Sequence, residues 1–168
     1  ATPDADAVAR AAVLLGEARR PFILAGQGVQ RAGASDALTA LVERAGALVT
    51  GTPAARGVVA EDHAHAVNSN FPGGAEAMRT ADVVLAVGTQ VGELLGYGRP
   101  PRWGEPERQQ WIQLDTDPAS IGVNRDVDLA LVGDAERGLR ALDEALRLRG
   151  VARALPDDAR RLVAADRE

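Results

Sequence analysis

Residues 21–33 read Pro21-Phe22-Ile23-Leu24-Ala25-Gly26-Gln27-Gly28-Val29-Gln30-Arg31-Ala32-Gly33, and this stretch decides the fold class. The apolar run at 22–25 stops at Gly26, and a second glycine follows at Gly28. A polar turn then leads to Ala34-Ser35-Asp36, where a helical pattern begins. A run apolar at every position suits a strand buried on both faces, as parallel strands are. Strand, glycine turn and helix start are the unit with which an open parallel sheet brings backbone N–H groups to an anionic ligand.

The same alternation extends in both directions. Upstream, Thr2-Pro3-Asp4 predicts a helix start with Thr2 as cap, and Val8, Ala11, Ala12 and Leu15 follow at helical spacing. Downstream, Leu38, Leu41 and Val42 share one side of a helix over 36–44, with Gly46 just past its end. A short strand is predicted over 47–50, then a loop over 51–61 punctuated by Gly51, Pro53 and Gly57. Phe71-Pro72-Gly73-Gly74 reads as a turn before a helix at 75–80. The clearest strand is 83–87, ended by Gly88, and a Gly- and Pro-rich loop occupies 92–106. A strand at 111–114 ends at Asp115, and Asp117-Pro118 opens a short helix. The last strand, 129–132, is followed by Gly133-Asp134, which cap a long helix through 148. Residues 151–168 read as a polar, partly helical tail. Strands alternating with helices at this spacing predict an α/β fold, a Rossmann-like open parallel sheet of about five or six strands with helices on both faces.

Bulk composition narrows the function. At 168 residues the chain suits one domain, and 46% hydrophobic with 26% charged residues is ordinary for a soluble globular protein. Aromatics are only 3%, so the core must be built mainly from Ala, Val, Leu and Ile. A net charge of −5 without a basic patch predicts no nucleic-acid partner. No apolar run approaches the roughly 18 residues of a membrane span, and there is no signal-peptide pattern. The lack of cysteine excludes disulfides and thiolate metal sites and fits a cytoplasmic protein. Ala1 in place of Met, with charged ends, predicts a domain belonging to a longer polypeptide.

Ligands of doubly wound sheets bind outside the carboxyl ends of the strands. Those ends here are Gly26-Gln27-Gly28, Thr50-Gly51-Thr52, Gly88-Thr89-Gln90, Asp115-Thr116-Asp117 and Gly133-Asp134. Asp117 and Asp134 read first as helix caps, whereas Asp115 has no such local role and is the better ligand candidate. The Gly26-x-Gly28 pair lacks the third glycine of the dinucleotide fingerprint, which weakens a reading as an independent NAD-binding protein. His63 and His65 beside Glu61 and Asp62 make a poor metal set, since residues two apart in an irregular segment want a third partner. Ser35, Ser69 and Ser120 show no nucleophile elbow, and no catalytic constellation emerges.

The ordered set of strand ends resembles the central domain of thiamine-diphosphate-dependent enzymes, the group of acetolactate synthase, pyruvate oxidase, benzoylformate decarboxylase, oxalyl-CoA decarboxylase and 2-hydroxyacyl-CoA lyase. The resemblance is carried by Arg20-Pro21-Phe22-Ile23-Leu24-Ala25-Gly26-Gln27-Gly28, Ala55-Arg56-Gly57-Val58-Val59 with Asp62-His63, and Ala81-Asp82-Val83-Val84-Leu85-Ala86-Val87-Gly88. It continues through Trp111-Ile112-Gln113-Leu114-Asp115 and Val132-Gly133-Asp134, spanning about residues 4 to 148. The loop Gly98-Arg99-Pro100-Pro101-Arg102-Trp103-Gly104 looks most like that of 2-hydroxyacyl-CoA lyase and oxalyl-CoA decarboxylase.

This resemblance implies a central domain over residues 1–150 and a linker over 151–168 toward a further domain. It implies flanking domains of the same polypeptide that hold thiamine diphosphate and Mg²⁺ and carry the chemistry, in a homo-oligomeric, carbon–carbon bond cleaving or forming enzyme. The central domain itself would be non-catalytic. In some members it binds ADP, CoA or FAD across its strand ends; in others that site is empty. Carried over, Gly26, Gln27 and Gly28 would approach the phosphates or ribose, Gly88, Thr89 and Gln90 would line the middle, Asp115 and Thr116 would meet the adenosine, and Gly133 and Asp134 would lie at its far side. The chain departs from cofactor-binding members where Gln90 and Gln27 replace basic residues. Each lost phosphate-facing cation forfeits a charge-assisted bond of ~1.5–3 kcal/mol. Arg99 and Arg102 are the candidate replacements.

Overall fold

A computed structural model describes all 168 residues. Helix α1 (Ala5–Glu17) is capped by Asp4, whose carboxylate accepts from the Ala7 N–H at 2.9 Å. The predicted cap, Thr2, is displaced outward by two residues because Pro3 packs against Gly133 instead of opening the helix. Strand β1 (Pro21–Ala25) follows, with its proline at the first position, where a missing N–H is tolerated. The polar turn expected after Gly26 is itself a short helix, α2 (Gln27–Arg31), leading into α3 (Ser35–Ala45). Gly46 ends α3 at φ 62, the left-handed conformation that glycine adopts without a Cβ penalty.

Strand β2 (Leu48–Gly51) precedes helix α4 (Pro72–Thr80), β3 (Val83–Val87), β4 (Gln110–Asp115), β5 (Leu129–Val132), α5 (Ala135–Leu148) and α6 (Asp157–Ala165). Helix α4 starts earlier than predicted: Pro72 takes the first helical position, so Gly73 and Gly74 belong to the helix. The sheet is wholly parallel in the order β2-β1-β3-β4-β5. Five strands are present, and one isolated parallel bridge, Val49 to Ala66, begins a sixth position beside β2 without becoming a strand. The strand order reverses between β1 and β3, and both of these strands are buried throughout.

The two faces are covered differently. On one, α1, α3 and α5 bury a core of 30 residues, including Leu15, Leu38, Leu85, Ile112 and Leu139. On the other, a smaller core of 15 residues lies under α4, α6 and the segment between β3 and β4. That segment, read from its Gly and Pro content as a loop, does the work of a helix by burying Leu95 and Trp103. Trp103 packs edge-on to Trp111 at 4.8 Å and to Phe22 at 5.8 Å between ring centres, and donates to the Leu95 carbonyl at 2.7 Å.

Residues 151–168 lie against the body. Arg153 donates to the Gly16 and Ala18 carbonyls at the end of α1, and Leu155 and Val163 are buried. Near the end of α6, the Asp166 carboxylate accepts from the Asn68, Gly73 and Gly74 N–H groups at 2.7–3.2 Å. It therefore caps α4 from a distant part of the chain, where the helix dipole favours negative charge. Asp166→Ala is expected to speed amide exchange across α6 at least about tenfold, from loss of ~1.5–3 kcal/mol of charge-assisted bonding, with β3 unaffected. Unchanged exchange would mean that apolar packing alone holds α6.

Candidate functional site

The reversal between β1 and β3 places Gly26-Gln27-Gly28 beside Gly88-Thr89-Gln90 at the carboxyl rim. What the glycines approach is each other. The Gly26 N–H donates to the Val87 carbonyl at 2.8 Å, and the Gly28 N–H to the Gly88 carbonyl at 3.1 Å. A Cβ on Gly26 would stand 2.3 Å from the Gly88 oxygen, and one on Gly28 would stand 2.6 Å from the Gly88 Cα. These glycines let two backbones cross, and two of the N–H groups expected to meet phosphate are already spent.

Most of the remaining candidates are also engaged. Thr89 Oγ1 accepts from the Val91 N–H, and Gln90 donates to Ser120 Oγ at 3.0 Å while its carbonyl accepts from Asn124. Asp115 has a local role after all: its Oδ1 accepts from the Asp117 N–H at 3.0 Å, an Asx turn. Asp117 caps the 3₁₀ turn Pro118–Ser120, and Asp134 caps α5 by accepting from the Arg137 N–H. Gly133 packs on Pro3 and the Asp134 N–H donates to the Ala1 carbonyl at 2.7 Å, so the first residues of the chain cover the end of β5. Gln27 and Thr116 remain exposed with their side chains free of protein hydrogen bonds. Arg99 donates to the Asn124 carbonyl, and Arg102 to the Ser69 carbonyl and Asn70 Oδ1, so both are committed to loop structure.

A residue that sequence reasoning passed over organises this rim. Gln113, buried in β4, donates to the Thr89 and Ser120 carbonyls and accepts from the Gly122 N–H at 2.9–3.0 Å. One amide thereby stitches together the loops that follow β3 and β4. A wide opening lies elsewhere, at the carboxyl end of β2: a cleft of about 480 Å³ lined by Thr50, Thr52, Arg56, Asn68, Asn70 and Arg167 among others. Arg56 bonds to Glu61 on its margin, and this guanidinium holds the Glu61 carboxyl below the usual carboxylate range. Thr50-Gly51-Thr52 was visible as a strand end, but nothing in the sequence brought Asn68 and Asn70 to it. A crevice at the opposite, amino end, between Phe22, Leu48 and Leu162, holds about 20 Å³, room for roughly one water.

No three His, Cys, Asp or Glu side chains converge to hold a metal. His63 instead pairs with Glu43 at 2.9 Å and accepts from the His65 N–H, while His65 bonds to the Ala47 carbonyl. The residues do not fit thiamine diphosphate with Mg²⁺ either: no acidic cluster is present to hold the cation, and Asp134 is spent as a helix cap covered by Pro3 and Ala1. No helix is long and apolar enough to cross a membrane.

A doubly wound, wholly parallel sheet with helices on both faces and a strand-end rim that binds its own loops defines the class: a Rossmann-like open α/β domain. Residues 8–142 match the family described as "Thiamine pyrophosphate enzyme, central domain", and the chain belongs to it. It is 29% identical over 133 residues to 2-hydroxyacyl-CoA lyase 1 of Mus musculus, covering 79% of this chain and 22% of that protein. It is 33% identical over 151 residues to acetolactate synthase of Mycobacterium bovis, covering 86% and 24%. Benzoylformate decarboxylase from Polynucleobacter necessarius shares the fold, with a TM-score of 0.72 at 21% identity over 94% of this chain and 29% of that one. The chain thus spans about a quarter of the length of these relatives.

Proposed function

We propose that this chain is the non-catalytic central domain of a thiamine-diphosphate-dependent enzyme of the lyase, decarboxylase or acetolactate-synthase type. It holds in place flanking domains that bind thiamine diphosphate and Mg²⁺. The observation that carries the reading is the self-satisfied rim. Gly26, Gly28, Thr89, Gln90, Asp115, Gly133 and Asp134 all have partners within the chain. A ligand there would have to break existing hydrogen bonds for each one it makes, leaving little net affinity. A support role needs a rim that is rigid when empty, and Gln113 supplies that rigidity.

A second reading, binding of ADP, CoA or FAD at the rim, is favoured only by the exposed side chains of Gln27 and Thr116. Thermal unfolding in 1 mM ADP, FAD, CoA or NAD separates the two. For the support role the midpoint stays within a degree in all four, since a ligand with a Kd at or above ~1 mM adds at most about 0.4 kcal/mol. A rise of several degrees with an adenine nucleotide that Gln27→Ala abolishes would establish the second reading.

A further inference from the structure

Five of the six exposed large apolar side chains, Phe71, Leu94, Tyr97, Val123 and Val132, belong to the carboxyl rim of the sheet or the loops leaving it, and only Leu148 lies at the other end. Three of them sit on two loops tied to each other. Leu94 is 70%, Tyr97 42% and Val123 55% exposed. Asn124 donates to the Gln90 carbonyl at 2.8 Å, and Arg99 to the Asn124 carbonyl at 3.2 Å, joining the loop after β3 to the one after β4.

These side chains are presented by a held backbone. Leu95 is buried beside the exposed Leu94, and its carbonyl is gripped by Trp103. Tyr97 has φ 54 and Val91, a β-branched residue, φ 53, both in the left-handed region that such residues rarely occupy. Strain of this kind persists only where the surroundings over-determine it, and it clusters at contact and functional sites. The left-handed backbone of this loop accompanies the outward placement of Leu94 and Tyr97.

We propose that the patch formed by Leu94, Tyr97 and Val123 is the seat of a flanking domain of the same polypeptide, outside residues 1–168. Two observations choose this occupant over a second copy or a foreign protein. The relatives are about four times as long as this chain, so most of such a polypeptide lies outside the domain. Both ends of the chain also reach the same rim as the patch: Ala1 lies on Asp134 beyond β5, and Asp166 on the start of α4. A neighbour joined there is held next to the patch at high effective concentration, so modest apolar contact suffices to seat it. The proposal rests on reading the chain as one domain of a longer enzyme.

Hydroxyl-radical footprinting tests it on the isolated 1–168 chain and on the full-length polypeptide at equal concentration. Leu94 and Tyr97 label readily in the isolated chain and at least about fivefold more slowly in the full-length protein, because the core of such a contact excludes solvent. Leu94→Glu restores Tyr97 labelling in the full-length protein and leaves the unfolding midpoint of the isolated chain unchanged. Equal labelling of the two forms would overturn the proposal. So would protection that vanishes on hundredfold dilution, or that arises in the isolated chain as its concentration rises, since either result assigns the patch to a second copy. The footprint is independent of turnover: a full-length protein with protected Tyr97 but no thiamine-dependent activity would remove the proposed function and leave the seat standing.

Discussion

Gly26→Ala is expected to lower stability by about 3 kcal/mol and the unfolding midpoint by roughly 10 °C for a chain of this size. The backbone of Gly26 is unremarkable, with φ −103 and ψ −176, so an alanine there is not strained by conformation. Space is what it lacks. The new methyl would lie 2.3 Å from the Gly88 oxygen and 2.5 Å from the Thr89 Cβ. Relief requires β1 and β3 to part at their carboxyl ends, where the Gly26–Val87 and Gly28–Gly88 hydrogen bonds close the sheet. Overpacking against backbone costs ~1–3 kcal/mol, and each weakened bond adds about 1 kcal/mol. Gly92→Ala is the control: that glycine has φ −78 and open space around it, so alanine should be neutral or slightly stabilising. Urea denaturation of the two variants decides the matter. If Gly26→Ala matches Gly92→Ala in stability but differs in its response to nucleotide, the glycine pair serves a ligand and the crossing explanation fails.

The same pair shows how far the sequence could be read. Strands β1 and β3 were legible because a continuous apolar run between Pro or polar residues and Gly has one good solution in a parallel sheet, and the helices α3 and α5 because their apolar spacing and end signals agree. The glycines after β1 were legible as a feature, not as a cause. A Gly-x-Gly turn suits close approach of any backbone, and only the register of β1 with β3 shows that the approaching group is Gly88. The Phe71-Pro72-Gly73-Gly74 sequence misled for a related reason. Its glycines read as turn residues, yet they start α4, where a Cβ on Gly73 or Gly74 would meet the Leu162 or Asn68 carbonyl at 2.0 or 1.9 Å.

Asp115 was readable in principle, since Asp followed two residues later by a free N–H is a familiar turn signal. Gln113, Asp166 and Arg125 were not. Their partners lie up to 98 residues away, and a polar residue inside a strand or loop carries no mark of the carbonyl or N–H it will meet. The covering role of the segment between β3 and β4 was hidden likewise, because its Gly and Pro content is that of a solvent loop while its anchors are two tryptophans.

Arg125→Met is expected to destabilise the domain by about 3 kcal/mol and to open that covering segment to proteolysis first. Arg125 is only 8% exposed, and its guanidinium lies 5.0 Å from the centre of the Trp111 ring. It donates to the carbonyls of Gly98 at 2.6 Å, Gly104 at 2.9 Å and Gln109 at 3.2 Å. One side chain thereby clamps both ends of the stretch carrying Trp103. Burial pushes its pKa down, opposed most by Asp128, then by Glu105, Asp126 and Glu107. No carboxylate pairs with it directly, so the carbonyls take the place of an acid, at ~1.5–3 kcal/mol each for a charged donor, less the cost of burying the guanidinium. Methionine keeps much of the volume over Trp111 and leaves all three carbonyls without a donor. Lysine keeps the charge but not the planar fork, so Arg125→Lys should recover less than half of the loss. Urea denaturation gives the magnitude, and cleavage between residues 98 and 109 gives the location. A Met variant within 0.5 kcal/mol of wild type, or one cleaved no faster in that stretch, would mean that the tryptophan cluster holds the cover unaided. Because Gly98 adjoins Tyr97, the same variant should also disorder the rim patch, linking the clamp over β4 to the surface on which a neighbouring domain would rest.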